Sequence, residues 1–80
     1  PSIKISKEDI DKKLDIIDLV ILSKLENSKS EVRRLIKGNA VKINDEIISN
    51  EKLIINYDFF NKNYLKLSIG KKRHLKIEIS

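Results

Sequence analysis

The chain has 80 residues, which is enough for one small domain. A chain of this size buries only about 60% of the surface that its unfolded form exposes, so its thin core excludes an enzyme built around a deep cleft. Lys and Arg total 17 against 12 Asp and Glu, a formal net charge of +5. Residues 1–27 carry a net −1 and residues 28–80 a net +6, so the second part is predicted to meet a polyanionic partner.

Two features that the sequence lacks, Cys residues and a long apolar run, exclude further classes of function. The chain has no Cys, which excludes disulfides, Cys-ligated zinc and a Cys nucleophile. Its longest apolar run, Leu19–Leu22, is far too short to span a membrane, so no membrane partner is expected. Because the sequence starts with Pro1 rather than Met, we expect residues 1–80 to be a single domain excised from a longer protein.

The acidic first part of the chain predicts a strand and a helix. The alternation of Ile3–Ile5 is typical of a short strand, and Ser6 followed by Asp9 has the spacing of a helix N-cap. Apolar residues then recur with helical spacing at positions 14, 17, 21 and 25, and further apolar side chains widen this stripe. The pattern predicts a helix over 14–25 that is buried on most sides.

A capping pattern predicts the second helix. Ser28 and Glu31 have the spacing of a capping box, in which each side chain accepts from the other residue's backbone N–H. Gly38 stands where a left-handed residue is expected to end the helix. The core side of this helix is predicted to carry Val32, Leu35 and Ile36.

The rest of the chain predicts two hairpins. Residues 40–48 alternate on both sides of Asn44-Asp45, a pair that favours a tight turn. Residues 49–63 have no clean period, so we expect a short helical turn or an irregular loop there. Residues 64–79 alternate again, with Leu65, Leu67 and Ile69 facing inward and Tyr64, Lys66 and Ser68 facing outward. The predicted fold class is α+β, with two main helices packed on one side of a small, mostly antiparallel sheet.

Two basic clusters are candidate binding sites. Lys29, Arg33 and Lys37 share one face of the second helix, and Arg34 lies about 100° further around. Arg and Lys both bind phosphate, but the same spacing also fits a solvated charged face. The tip of the second hairpin, Lys71–Arg73, is the other cluster, for which ordinary turn solubilisation is the alternative. A single electrostatic footprint explains both clusters together.

No catalytic or metal-binding constellation is predicted. His74 is the only His, and catalysis or metal binding would require a partner that its neighbours do not supply. The aromatic residues between 57 and 64 could stack on bases, but packing is the favoured interpretation. The glycine-rich phosphate loop and the Ser/His/Asp set are both missing from the sequence.

The string SKSEVRRLIKGNAVKINDEII, residues 28–48, resembles the RNA-binding motif first named for ribosomal protein S-four. The flanking strings PSIKISKEDIDKKLDIIDLVILSKLENSKSE and YLKLSIGKKRHLKIEIS are similar to the C-terminal domain of bacterial tyrosyl-tRNA synthetases. The chain departs from these families at three places. Asp45 stands where Gly is usual, Val32 replaces a small Ala, and Ser68-Ile69 replaces an Arg-rich pair.

The resemblance implies a non-catalytic tRNA-binding domain at the C-terminal end of a cytoplasmic tyrosine–tRNA ligase. It would grip tyrosine tRNA at the anticodon stem and the long variable arm, while a separate catalytic domain uses ATP and Mg. The resemblance further implies that the fragment is monomeric and that its parent is a homodimer. No cofactor is expected in this domain. The implied RNA-binding residues, to which the hairpin tip adds Arg73, are Lys29, Arg33, Arg34, Lys37, Asn39, Lys42, Lys71 and Lys72.

Two other interpretations stay open at this point. The first is a related S-four-like RNA-binding module from another protein, such as a pseudouridine synthase or a ribosome-associated factor. The second is a basic structural or protein-interaction module without RNA specificity, for which the RNA affinity should not exceed that of any cation of net charge +5.

Overall fold

The helices of this protein pack against a five-stranded sheet and share one hydrophobic core with it. The computed structural model describes residues 2–80. In chain order its elements are β1 (Ser2–Ile5), α1 (Lys7–Asp11), α2 (Ile16–Ser23), α3 (Lys29–Lys37), β2 (Val41–Ile43), β3 (Glu46–Ile47), a 3₁₀ turn (Tyr57–Phe59), β4 (Tyr64–Ile69) and β5 (Arg73–Ile79). The predicted α+β class is therefore confirmed.

The sheet has the strand order β1-β5-β4-β2-β3. Three of its pairings are antiparallel, whereas β1 runs parallel to β5, with Ser2 opposite Lys76 and Ile5 opposite Ile79. The first and last strands of the described chain are therefore neighbours. Alternate strand residues such as Leu65, Leu67 and Ile77 are fully buried and join the apolar residues of α2 and α3 in one core.

Helix α2 is shorter than its apolar stripe predicts. Asp15 caps the helix by accepting from the Asp18 N–H at 2.8 Å, and the left-handed φ of 64° at Lys24 ends it. Leu14 therefore lies before the helix, where its carbonyl accepts from the Ile55 N–H at 2.7 Å. The prediction of helix over 14–25 was too long because a cap and a positive φ override periodicity at helix ends. The predicted burial of this helix is confirmed.

The capping box predicted for α3 is only half formed. Ser28 Oγ accepts from the Glu31 N–H at 3.4 Å, but the Glu31 carboxylate contacts Arg34 instead of the Ser28 backbone. A complete capping box is present at α1, where Ser6 and Asp9 satisfy each other's backbone N–H groups. The N-cap predicted there is confirmed.

The end of α3 also differs from the prediction. Gly38 has a φ of −86°, and Asn39 is the left-handed residue, with a φ of 59°. The Ala40 N–H donates to the Leu35 carbonyl at 2.9 Å, and the Asn39 N–H donates to the Ile36 carbonyl at 3.1 Å. These two bonds define a Schellman motif with Asn39 at C′. The prediction of Gly38 as terminator was wrong by one residue.

The segment between the hairpins is a loop that closes the core. It contains the 3₁₀ turn, as expected for part of residues 49–63, and it inserts Ile55, which is fully buried. The Ile16 N–H donates to the Leu53 carbonyl at 2.9 Å, so the loop also fastens the start of α2. The turn at Asn44-Asp45 has positive φ at both residues, which confirms that Asp45 adopts the conformation expected there.

Ser68 does not lie in solvent as predicted. It is only 3% exposed and lies within hydrogen-bond distance of the neighbouring strand's His74, with 3.1 Å between Ser68 Oγ and His74 Nδ1. Alternation places Ser68 correctly on the sheet face away from Leu67 and Ile69, but alternation does not report how well that face is covered. Ser68 and Lys42 are also directly opposite each other in the pairing of β4 with β2.

Candidate nucleic-acid interface

Helix α3 separates an apolar face from a basic one. Val32 and Ile36 are buried in the core shared with α2, whereas Arg33 and Lys37 lie exposed on the other side. The spacing of i and i+4 places both cations one turn apart on the same face. Within residues 2–80 neither of them forms an ion pair, so both are available to an external anion.

Lys29, on the same face, and Arg34, beside it, each have an intramolecular partner. The Lys29 ammonium lies 3.8 Å from the Asp18 carboxylate, a long contact between exposed groups that is worth little. Arg34 Nη2 donates to Glu31 Oε1 at 2.7 Å. This hydrogen bond, with the charge of Glu31, raises the pKa of Arg34 above its ordinary value. Of the two adjacent arginines, Arg33 is the free cation and Arg34 the paired one.

The exit of α3 meets the tip of the second hairpin in a shallow groove. The Gly70 N–H donates to the Ala40 carbonyl at 2.8 Å, which brings the turn between β4 and β5 against the residues that follow α3. The groove is lined by Gly38, Asn39, Ala40, Lys42, Gly70 and Lys71. The fold therefore places Lys42 and Lys71, which are 29 positions apart in the sequence, on the walls of one depression.

The hairpin tip presents two free cations and turns the third back toward the protein. Gly70 has a φ of 66°, which a side chain would strain, and the exposed Lys71 and Lys72 follow it. Within the described chain these two lysines form no ion pair. Arg73 Nη1 instead donates to the Leu25 carbonyl at 2.8 Å and lies 3.5 Å from Glu26 Oε2.

The predicted site residues therefore fall into two groups. Five exposed or half-buried basic side chains are free of ion pairs within residues 2–80: Arg33, Lys37, Lys42, Lys71 and Lys72. Lys29, Arg34 and Arg73 have intramolecular partners, and Asn39 has a backbone role at the end of α3. No structural observation tests whether any of them contacts RNA, so those contacts stay predictions.

Glu26 contacts the site through Arg73, but it was not predicted from the sequence as a site residue. It lies in the connection between α2 and α3, its side chain is 20% exposed, and its partner Arg73 is 47 positions away. No local pattern could have found it, because charge partners across a fold have no fixed spacing in the sequence. Among residues 2–80 no three potential metal ligands lie together, and none of the helices there has the length and apolarity to cross a membrane.

Comparison with known proteins identifies the family. A family model described as the tyrosine–tRNA ligase SYY-like C-terminal domain matches residues 1–77. The chain is 56% identical over 79 residues to a tyrosine–tRNA ligase of Pelagibacter ubique (strain HTCC1062), and these residues are 99% of this chain and 19% of that protein. It is 40% identical over 80 residues to a tyrosine–tRNA ligase of Rickettsia massiliae (strain Mtu5), covering 99% of this chain and 20% of that protein.

A third relative gives the same result. The tyrosine–tRNA ligase of Wolbachia sp. subsp. Drosophila simulans (strain wRi) is 39% identical over 80 residues, again 99% of this chain and 19% of the relative. The chain thus spans about a fifth of the length of the curated relatives it matches. On the family match and these identities, the chain belongs to the family of tyrosine–tRNA ligase SYY-like C-terminal domains.

Proposed function

We propose that this domain binds tRNA, and tyrosine tRNA in particular, without taking part in catalysis itself. The observation that carries the proposal is the arrangement of five free cations, Arg33, Lys37, Lys42, Lys71 and Lys72, along α3 and the groove at its exit. Arg33 can contact a phosphate bidentately, whereas the lysines act as movable point charges. The family to which the chain belongs supports tRNA as the polyanion.

The basic surface is suited to the backbone of an RNA helix rather than to base sequence. RNA helices present mainly phosphates, 2′-hydroxyl groups and a wide minor groove to proteins. We propose that the surface grips the anticodon stem and the long variable arm of tyrosine tRNA. Lys71 and Lys72 at the hairpin tip would follow one strand, while Arg33 and Lys37 on α3 would hold the other.

The remaining functions belong to the parent protein in this proposal. Its catalytic domain, which is separate from residues 1–80, would tyrosylate the bound tRNA with ATP and Mg. The domain itself would need no cofactor and would be a monomer, and the parent would be a homodimer acting in the cytoplasm. The names of the tyrosine–tRNA ligases that match the chain support the tyrosylating activity of the parent.

A salt-dependent titration against tyrosine tRNA tests the proposal. A tRNA with a shortened variable arm but otherwise the same sequence serves as the competitor. Five neutralised phosphates predict that log affinity falls against log salt with a slope of about −4.5. Preference for the intact tRNA at physiological salt supports the grip on the variable arm. Equal, weak binding of both RNAs that vanishes with modest salt would mean that the surface is only generically cationic.

A further inference from the structure

The side chain of Arg73 joins the hairpin tip to the connection between α2 and α3. Its guanidinium donates to the Leu25 carbonyl at 2.8 Å and lies 3.5 Å from the Glu26 carboxylate, which is itself largely shielded from solvent. We propose that Glu26 and Arg73 form a clip that positions Lys71 and Lys72 for RNA binding. This inference rests on the proposed function and replaces a direct role of Arg73 in binding RNA by a positioning role.

The clip is one of two anchors that tie the hairpin tip to the segments on either side of α3. At the far end of the helix, the Gly70 N–H donates to the Ala40 carbonyl at 2.8 Å. At the near end, Arg73 reaches the residues that precede the helix. Lys71 and Lys72 lie between the two anchors in the chain. The nine-residue helix between these segments is about 13 Å long and carries Arg33 and Lys37, so the tip is tied to the chain on both sides of the helix that carries these two cations.

Anchoring matters because Lys71 and Lys72 are exposed residues of a turn. A mobile turn loses conformational freedom when it binds, and this loss weakens the complex unless the turn is already ordered. Arg73 makes both contacts with Nη1, which faces the Leu25 carbonyl and the Glu26 carboxylate at the same time. A lysine ammonium would stop one bond short of that position. Both contacts run toward the connection between α2 and α3, so Nη1 is engaged within the protein rather than offered to a phosphate.

Removing the charge of Glu26 tests the clip, because Coulomb attraction and loss of the clip predict opposite changes in RNA affinity. Replacing Glu26 by Gln raises the formal net charge from +5 to +6 beside a basic surface. Coulomb attraction alone then predicts tighter RNA binding. Loss of the clip predicts weaker binding in spite of the added charge. Glu31→Gln is the matched control, because Glu31 also pairs with an arginine near the start of α3 and its replacement changes the net charge equally.

The experiment measures the affinity of the 80-residue chain for a tyrosine tRNA transcript at about 150 mM salt, where the screening length is about 8 Å. Circular dichroism and thermal melting establish that each variant is folded. We expect Glu26→Gln to bind about threefold more weakly and Glu31→Gln to bind more tightly than the unaltered chain. Arg73→Lys keeps the charge, but its ammonium is one bond short of the Nη1 position that contacts Leu25 and Glu26, so it should also weaken binding.

A double-mutant cycle with Glu26→Gln and Arg73→Gln separates positioning from direct contact. If the residues act as one clip, the double variant binds about as weakly as Arg73→Gln alone. The inference is overturned if Glu26→Gln tightens binding as Glu31→Gln does, or if the two single effects add with opposite signs. Failure of the unaltered chain to prefer intact tyrosine tRNA would instead overturn the proposed function, so the two failures are distinguishable.

Discussion

Arg34 and Glu31 are joined within one turn of α3, with Arg34 Nη2 2.7 Å from Glu31 Oε1. This contact has two consequences for the helix. It diverts the Glu31 carboxylate from the capping position that the sequence predicts. It also places a negative charge against Arg34, one of the two adjacent arginines, which stays protonated. Within residues 2–80, Arg33 and Lys37 are therefore the cations of α3 that form no ion pair, and Lys29 has only a long contact with Asp18.

Arg33→Ala and Arg34→Ala should differ although the two residues are adjacent. Removing the free Arg33 should weaken tRNA binding and make the salt slope shallower by about 1, because one phosphate contact is lost. Arg34→Ala should change both quantities less, since its charge is already opposed by Glu31. Titrations of each variant with tyrosine tRNA at several salt concentrations measure both the affinity and the slope. Lys12→Ala, on the acidic part of the chain, is the control, and equal effects of the two arginine variants would contradict the prediction.

Asn39 tests whether a predicted RNA contact is in fact a backbone role. Asn39→Ala places an ordinary residue at a φ of 59° and should lower the free energy of unfolding by about 1 kcal/mol. Gly adopts that φ without strain, so Asn39→Gly should keep the free energy of unfolding the same or raise it. Chemical denaturation measures both. If the side chain contributes nothing to RNA binding, the Gly variant binds tRNA as the unaltered chain does; a marked loss of affinity in this variant would establish a side-chain contact.

Ile55 should be as important for stability as the residues of the helices. It is fully buried although it belongs to a loop, so Ile55→Ala should lower the free energy of unfolding by about 2–5 kcal/mol through lost burial and a cavity. Its neighbour Ile54 is 45% exposed and is the matched control, for which the same substitution should change stability little. Urea denaturation of the two variants provides the comparison. Similar losses for both would show that the loop does not close the core in this way.

The Tyr57–Asp11 contact predicts a loss of stability at high pH. Tyr57 Oη donates to Asp11 Oδ1 at 2.9 Å, and this hydrogen bond raises the pKa of Tyr57 above its ordinary value. The folded chain thus holds the phenolic proton more tightly than the unfolded chain, so the contribution is complete below about pH 10 and is lost as the pH rises further. The stability difference between the unaltered chain and Tyr57→Phe should shrink as the pH rises above about 10. A difference that stays constant over this range would contradict the prediction.

The fold could be predicted from the sequence where the pattern is local. The alternation of residues 64–79, the turn at Asn44-Asp45 and the apolar side of α3 all depend on neighbours a few positions apart. Helix ends were predicted less well. The terminator of α3 is Asn39 rather than Gly38, because the left-handed position is set by where the last helical hydrogen bonds form and Asn tolerates positive φ almost as Gly does.

The sequence by itself determined most of the helices and strands, many of the apolar positions that form the core, and the concentration of positive charge after residue 28. It did not separate α1 from α2. Tertiary structure alone decided that β1 joins β5 in parallel, that Ser68 is covered, and which of the basic residues are free. The physical reason is that ion pairing depends on distance in space, and the partners Glu26 and Arg73 meet only after the hairpin packs beside α3. Periodicity reports the face on which a charge lies and which charges lie within one helical turn of it, as for Glu31 and Arg34. Only packing brings together charges that are distant in the sequence.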